Sequence, residues 1–511
     1  AIEGSKPYLV IPLFPQSDSF IRVFGHAYED LTNGPIFSFG YFQSALYSLR
    51  KISKKDRILK LDGKLTKDVS LFLSQFLGSH NYKKMMSNTL DTFDDDGSLH
   101  IILETSNLGN ATPLLLSKCG ILLMHNHQIA SPISPALPVC RLALPNIPFS
   151  RALNIKYSFF EEDHYQVIKD VFNVVAPKII KYIYYTPNIV CYAEYAKRLE
   201  SGTIILTDVL TSYAAILGMY LISESGINEK DEKLIQQALI FGFFQACSGI
   251  LEINQIEKFD KWLQTEFNIK IPENWIGFDV SDPFWDCYNK PSLISMTMSS
   301  KGKLIPLDFH ILDEPVTYSN GYGEDQLPFI VSEVKVCHAQ LLPSLRTCEI
   351  LLTTNQNIII HGPPGSGKTS FLQIFFDKKD SYIPVLINAS DSLDIETIIS
   401  YIAVHTPFIS KASSVNTGNK TFVLIFDGLK PKHVQIIEFI RMLITTHTFP
   451  LNSPNDEKVF EFAKVHPFNI IVTTQNYRQL PSRFLVNFCP IQFQPYTENT
   501  STFITNKILT T

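Results

Sequence analysis

Apolar positions along the chain fall into three textures. Over residues 1–150 short apolar runs surround a helix-like segment. Tyr8–Leu13, Ile58–Leu61, Leu99–Leu103 and Ile121–Met124 read as strands, the second of them ending at Asp62-Gly63. Five prolines between Ser131 and Pro148 read as an irregular or extended connection. Over residues 151–270 the period becomes helical. Tyr165, Ile168, Phe172 and Val175 share a face, as do Ile205, Val209, Tyr213, Ile216 and Tyr220, and then Leu234, Ala238 and Phe241. Amphipathic segments with no strand between them predict a helical subdomain.

Residues 271–327 have little periodicity and many turn residues (Pro272, Pro283, Pro291, Gly302, Gly321, Gly323), and read as a linker plus an insertion. From 328 to 511 strands and helices alternate. Asn357–Ile360, Pro384–Ile387, Phe422–Phe426 and Asn469–Thr473 are short apolar runs, with helical patterns over 369–376, 392–404 and 432–443 between them. Brief, wholly apolar strands separated by helices predict an α/β fold with a parallel sheet flanked by helices.

Composition narrows the class. A chain of 511 residues has room for several cores, and 45% apolar against 18% charged residues excludes a disordered chain. Forty-four basic against 49 acidic residues give a formal charge of −5, which excludes a general polyanion binder. The aromatic helices (Tyr182, Tyr184, Tyr185, Phe241, Phe243, Phe244) carry no basic stripe and read as core, so no nucleic-acid partner is expected. Eight scattered cysteines, none paired at zinc or redox spacing, read as buried thiols of a reducing compartment. The most apolar windows, Ala238–Leu251 and Ile204–Ile222, are interrupted by Gln245 and Asp208, so no membrane span is expected. The expectation is a soluble, cytoplasmic protein. Its first residue, Ala1, stands close to a strand, which reads as a piece of a longer polypeptide.

The chemistry concentrates in Gly362-Pro363-Pro364-Gly365-Ser366-Gly367-Lys368-Thr369. This is G-x-x-x-x-G-K-[ST] between a strand and a helix. Its glycines let backbone N–H groups turn toward a phosphate, and the following helix adds its positive end. Lys368 is placed to reach the β- and γ-phosphates of ATP or ADP, and the Thr369 hydroxyl to ligate Mg²⁺. Asp427 closes an apolar run, where a carboxylate faces the same cation. Gly428 follows, where many such ATPases carry a second acid that orients the attacking water. Binding without rapid hydrolysis is therefore expected, Glu438 being a possible substitute acid. Thr474 and Asn476, after the next strand, read as candidate γ-phosphate sensors. Arg483, in Leu480–Phe484, reads as an arginine projecting toward a neighbour's nucleotide.

Three weaker features read as ordinary surface: His125 and His127 as a solvated loop, Asp94–Gly97 as a hairpin turn, and Lys51, Lys54, Lys55 and Arg57 as a solvated basic face.

Together the P-loop, the Asp-ended strand, the polar strand end and Pro-x-Arg-Phe resemble an AAA+ ATPase module. The flanks resemble the dynein heavy chain. Val336–Lys368, Gln435–Arg441 and Arg483–Phe488 look like that family's third module; Leu61–Gly63, Glu104–Gly120 and Glu257–Leu263 look like its second. The resemblance implies a partial α/β core of a second module over 1–150, whose P-loop would precede the chain. A helical lid follows over 151–270, then a linker and insertion over 271–327, and a third α/β core over 328–511 whose own lid would follow Thr511. It implies a regulatory ATP site that gates a motor cycle. Implied partners are other modules of the same heavy chain and, through regions outside these residues, microtubules and intermediate or light chains. The implied location is the cytoskeleton, a cilium or axoneme included. Lys118 stands where the family has an arginine, and lacks the planar fork that grips phosphate. Alternatives are an AAA+ remodelling ATPase unrelated to motility, a non-hydrolysing nucleotide-dependent module, and a helical scaffold with an accidental loop.

Overall fold

The computed structural model describes residues 9–30, 34–50, 57–78, 99–105, 107–122, 162–185, 206–227, 231–251, 253–271, 293, 296–299, 304–306, 317–318, 334–377, 379, 381–405, 420–453, 456–464 and 468–510. In chain order the first elements are β1 (Leu9–Leu13), α1 (Phe20–Phe24), β2 (His26–Asp30), β3 (Gly34–Ser38), α2 (Tyr41–Arg50), β4 (Arg57–Asp62), α3 (Lys67–Gly78), β5 (Leu99–Glu104) and α4 (Pro113–Lys118). Helices α5 (Glu162–Tyr185), α6 (Leu206–Ser225), α7 (Glu232–Ser248) and α8 (Ile253–Glu266) follow. Four brief strands come next: β6 (Met296–Met298), β7 (Leu304–Pro306), β8 (Thr317–Tyr318) and β9 (Val334–Lys335). The last stretch holds α9 (Leu342–Thr353), β10 (Ile358–His361), α10 (Lys368–Asp377), β11 (Tyr382–Asn388), α11 (Ile395–His405) and β12 (Thr421–Asp427). It ends with α12 (Val434–Thr446), β13 (Thr448–Ser453), β14 (Asp456–Lys464), β15 (Phe468–Thr474), α13 (Ser482–Leu485), β16 (Cys489–Gln492) and α14 (Glu498–Thr510). No described helix is long and apolar enough to cross a membrane.

The chain divides into two compact units. The first comprises residues 1–125, 389–418 and 431–467; the second comprises 126–388, 419–430 and 468–511.

In the first unit β1, β4 and β5 form a parallel sheet in the order β1-β4-β5. Leu13, Leu59 and Leu61 point from it into a core with Phe24, Phe42, Phe72 and Phe76. Phe42 meets Phe72 edge-on (5.3 Å, 86°), the arrangement ring quadrupoles favour, while Phe72 and Phe76 lie near-parallel at 6.3 Å. At the end of β4, Asp62 accepts from Arg441 of α12 at 3.0 Å, and Arg441 also bonds Glu438 at 2.5 Å. The guanidinium carbon lies 5.1 Å from the centre of the Phe14 ring. Lys60 adds a contact of 3.5 Å to Asp62 and one of 2.6 Å to Glu104. The antiparallel pairs β2–β3 and β13–β14 also belong to this unit.

In the second unit five parallel strands run in the order β11-β12-β15-β10-β16. Ile358–Ile360 and Phe422–Phe426 are wholly buried, which explains why these runs read as continuous apolar segments. The edge strand β11 alternates instead, and carries Pro384 where a missing N–H costs no ladder bond. Helices α6 and α7 pack along each other and against β16. Ile168, Phe172 and Val175 of α5 are fully buried, as their shared face predicts. At the end of α7 the chain is held to the sheet. His361 donates its Nε2–H to Gly249 O at 2.7 Å, and Arg478 donates to Ile250 O at 2.9 Å. A Cβ at Gly249 would lie 2.1 Å from Pro490 O, so only glycine fits there.

The α/β class with parallel sheets and flanking helices is the one observed. Some expectations need correcting. Ile121 and Leu122 are exposed coil (58% and 83%), not the start of a strand. Of the cysteines, Cys247, Cys348 and Cys489 are buried but Cys119 and Cys337 only partly so. The proline-rich stretch 131–148, the 94–97 turn, His125, His127, Lys51, Lys54, Lys55 and most of 271–327 lie outside the described residues.

Candidate functional site

The chain leaves β10 at His361 and enters α10 at Lys368, so Gly362–Gly367 turns at the C-terminal end of a central strand. Gly365 and Gly367 take φ values of 75° and 79°, which a Cβ would strain. Close neighbours fix the loop as well. A Cβ on Gly362 would lie 2.3 Å from Phe493 O, and one on Gly367 only 1.8 Å from the Tyr496 hydroxyl. Gly362 N donates to Thr474 O at 3.3 Å and Phe371 N to Gly367 O at 2.8 Å, tying the loop to β15 and opening the helix. Ser366 is buried, while Pro363, Pro364 and Gly365 face solvent.

Lys368 reaches back across this loop. Its Nζ donates to Gly362 O at 2.8 Å, Pro363 O at 2.7 Å and Ser366 Oγ at 3.3 Å. Burial pulls its pKa below the usual lysine value, and the carboxylate of Asp427 acts in the opposite sense. An ammonium held by neutral carbonyls is one an anion can recruit, since a charge-assisted bond is the stronger one.

Asp427 ends β12. One carboxylate oxygen accepts from Thr369 Oγ1 at 3.1 Å and the other from Thr473 Oγ1. The Thr473 hydroxyl in turn accepts from Gly428 N at 2.8 Å. Gly428 has a φ of 78°. The strand therefore turns left-handed at the position where a second acid was looked for, and glycine is there for backbone reasons.

The donor set suits a nucleotide with Mg²⁺. A glycine loop, closed to side chains at Gly362 and Gly367, lies beside a lysine and the N-terminus of α10. The one carboxylate beside it is held by two hydroxyls. Among the described residues no cluster of three or more His, Cys, Asp or Glu forms a metal cage. Thr369 and Asp427 would supply the sparse protein ligation that Mg²⁺ takes when phosphate and water fill its shell.

The other expected residues stand as follows. Asn476 is exposed, and its Oδ1 accepts from Arg478 N at 3.1 Å, capping the 3₁₀ turn Tyr477–Gln479. Arg483 is half-buried in α13, and its carbonyl accepts from Asn487 Nδ2. Thr474 is buried, its carbonyl engaged by Gly362 N. Glu438 is buried in the first unit and paired with Arg441, so its carboxylate is already committed. Lys118 is exposed at the end of α4.

Two residues escaped the sequence reading. Thr473 touches Asp427, whereas attention fell on Thr474. The parallel register holds the clue: Phe426 pairs with Val472, so the next step brings Thr473 beside Asp427. Tyr496 lies against Gly367 through a close approach that no short motif encodes.

No protein-family model matches the chain, and no curated protein does. Among solved structures it is similar to the crystal structure of Cdc6p from Pyrobaculum aerophilum. The similarity covers 39% of this chain and 54% of that chain, at 18% identity and a TM-score of 0.24. The chain thus spans about half the length of that structure.

Proposed function

We propose that Gly362–Thr369 binds the phosphates of ATP or ADP, with Mg²⁺ held between Thr369 and Asp427, as the site of an AAA+ ATPase module. The observation that carries this reading is the bond from Thr369 to Asp427 beside a loop in which Gly362 and Gly367 have no room for a side chain and Gly365 takes a positive φ. Bound Mg²⁺ would supply charge neutralisation on the phosphate oxygens. The chain's own residues do the rest. Lys368 exchanges loop carbonyls for phosphate, and Thr473 orients Asp427.

Turnover is expected to be slow. Gly428 carries no acid, and Glu438 is engaged by Arg441. That pair of facts also favours the second reading, a module that binds nucleotide for structural or regulatory ends without hydrolysing it.

The finer proposal is a piece of a dynein-like heavy chain, spanning parts of a second and a third module, whose nucleotide state gates an ATP-driven motor cycle. Its support is the order of motif matches along the sequence. Partners on this reading are other modules of the same polypeptide, and microtubules and intermediate or light chains outside these residues. The setting would be cytoplasmic and cytoskeletal.

Titration with fluorescent ATP and Mg²⁺ tests the site. Lys368→Ala should weaken binding by about a hundredfold, the loss of a charge-assisted contact to phosphate. Unchanged affinity overturns the assignment. Single-turnover hydrolysis by the wild-type chain separates the two readings. For the motor proposal, the natural polypeptide carrying this chain should sediment with microtubules and leave them on adding ATP; indifference to microtubules removes it.

A further inference from the structure

In the second unit the turn that ends β10 and the turn that follows β15 are both fastened to the end of α7. His361 Nε2 donates to Gly249 O at 2.7 Å, and Arg478 Nη2 donates to Ile250 O at 2.9 Å. The last carbonyls of a helix have no partner within it and carry its negative end, so an imidazole N–H and a guanidinium suit them. The two carbonyls belong to consecutive residues, whose Cα atoms a trans peptide holds about 3.8 Å apart.

Each bond carries a different part of the site. His361 is 6% exposed, and its own peptide enters the phosphate loop. Its carbonyl accepts from Phe493 N at 2.7 Å, and Gly362 N donates to Thr474 O at 3.3 Å. Arg478 gives its backbone N–H to Asn476 Oδ1 at 3.1 Å, so the residue that grips Ile250 also orients the Asn476 amide. With Oδ1 engaged, Nδ2 is the end of that amide that can donate to a phosphate oxygen. The buried Tyr477 ring joins the two attachments, its centre 4.2 Å from that of the His361 imidazole. Strand β15, which leads into the Asn476 turn, lies between β10 and β12. The turn therefore follows the strand that separates the phosphate loop from Asp427.

We propose that His361 is a positioning residue for the third phosphate: with Arg478 it gauges Asn476 against the phosphate loop, so that the site tells ATP from ADP. The inference rests on the reading of Gly362–Thr369 as the phosphate site and of Asn476 as a γ-phosphate sensor. The imidazole acts through the Gly362 peptide and touches no nucleotide.

Burial lowers the pKa of His361 to about 4; the Gly249 bond opposes that shift, and the charges of Arg478 and Lys368 add to it. The ring is thus neutral at neutral pH, and its one proton sits on Nε2, where Gly249 O receives it. A neutral donor adds no charge to the anion site. Its contribution is geometric. The loop's hold on the first two phosphates is local, made by glycine backbone and a helix N-terminus. A contact from Asn476 to the third depends on the spacing of two separate strand ends, so losing the His361 bond should harm ATP more than ADP.

Calorimetric titration of the intact chain with Mg²⁺ and either ADP or a non-hydrolysable ATP analogue tests this. His361→Phe keeps a ring against Tyr477 without the N–H; His361→Gln keeps an N–H near the Nε2 position without the ring. The phenylalanine variant should bind the ATP analogue about tenfold more weakly and ADP less than about threefold more weakly. The glutamine variant should recover most of the lost ratio, and Arg478→Leu should shift the ratio as phenylalanine does. Equal losses for both nucleotides, a glutamine variant as impaired as phenylalanine, or a wild-type chain that binds the two equally overturns the positioning role and leaves the phosphate site standing. A wild-type chain that binds neither removes both. If His361→Phe fails to fold by circular dichroism, Arg478→Leu decides: an unchanged ratio there overturns the proposal.

Discussion

Two parallel strands in this protein end in the same dipeptide, Asp-Gly, and the two aspartates live in opposite electrostatic settings. Asp62, at the end of β4, is clamped by Arg441 at 3.0 Å with Lys60 at 3.5 Å, and its side chain is 13% exposed. Asp427, at the end of β12, is held only by the hydroxyls of Thr369 and Thr473, and no salt bridge reaches it among the described residues. A carboxylate paired with a buried guanidinium has its charge answered within the protein. One fixed by neutral donors keeps its charge for a cation that arrives. Strand-end aspartates are thus read by their partners: the Asp62 cluster ties elements of its own unit together, while Asp427 is the one left for the cation of the proposed site.

The largest way to break the comparison is Arg441→Leu. It removes the guanidinium from buried Glu438 and leaves Asp62 with the longer Lys60 contact at 3.5 Å, and should cost about 3 kcal/mol in chemical denaturation. A loss under about 1 kcal/mol would make the Asp62 cluster no more structural than Asp427.

Next in size is an acid limb that belongs to the second unit. Burial lowers both His338 and His361 to about 4. Unfolded imidazole takes a proton below about 6.5 and the folded rings do not until about 4, so the unfolded chain binds more protons across that window. Stability should therefore fall as pH drops from 6.5 toward 4, by about 2 kcal/mol per histidine at pH 5, and be flat above 7 on their account. His338→Gln and His361→Gln should each flatten that limb. An unaltered limb in both variants counts against the assignment.

Gly428→Ala should cost about 1 kcal/mol, because its φ of 78° is one an L side chain enters at a penalty. A gain in hydrolysis from Gly428→Glu has to overcome the same penalty, so single-turnover rates should be compared after checking the melt. The smallest stability effect, within about 0.5 kcal/mol, is expected for Asp427→Asn, whose oxygen can still accept from Thr473 while its amide NH2 donates to the Thr369 hydroxyl. That variant should nevertheless lose the magnesium dependence of nucleotide binding, measured as affinity with and without chelator. Retained dependence would place the cation elsewhere.

Much of the second unit was legible in advance because its inner strands are buried on both faces. Val423–Phe426 is an unbroken apolar run ending in a carboxylate, and its observed strand extends the expected one by one residue at each end. The P-loop was legible for the same reason that it works: glycine spacing is a local constraint. What failed was non-local. Ile121-Leu122 has strand-like composition but pairs with no strand among the described residues, and lies in solvent as coil. The ribbon β13–β14 follows a bend at His447, whose φ of 51° no periodicity shows. Glu438 reads in the sequence as a candidate substitute acid, and its pairing with Arg441 is visible only in the fold. Residues lining a cavity beside Ser366 come from separate stretches near 213, 245, 338 and 492, and only folding gathers them.

The end of α7 carries one more consequence. His361 grips the carbonyl of Gly249 and is the residue immediately before Gly362, while Gly249 itself rests on the backbone of Pro490. Any shift of the end of α7 that keeps this bond would bear, through one imidazole, on the peptide that enters the phosphate loop. A Cβ at position 249, 2.1 Å from Pro490 O, would strain that junction first.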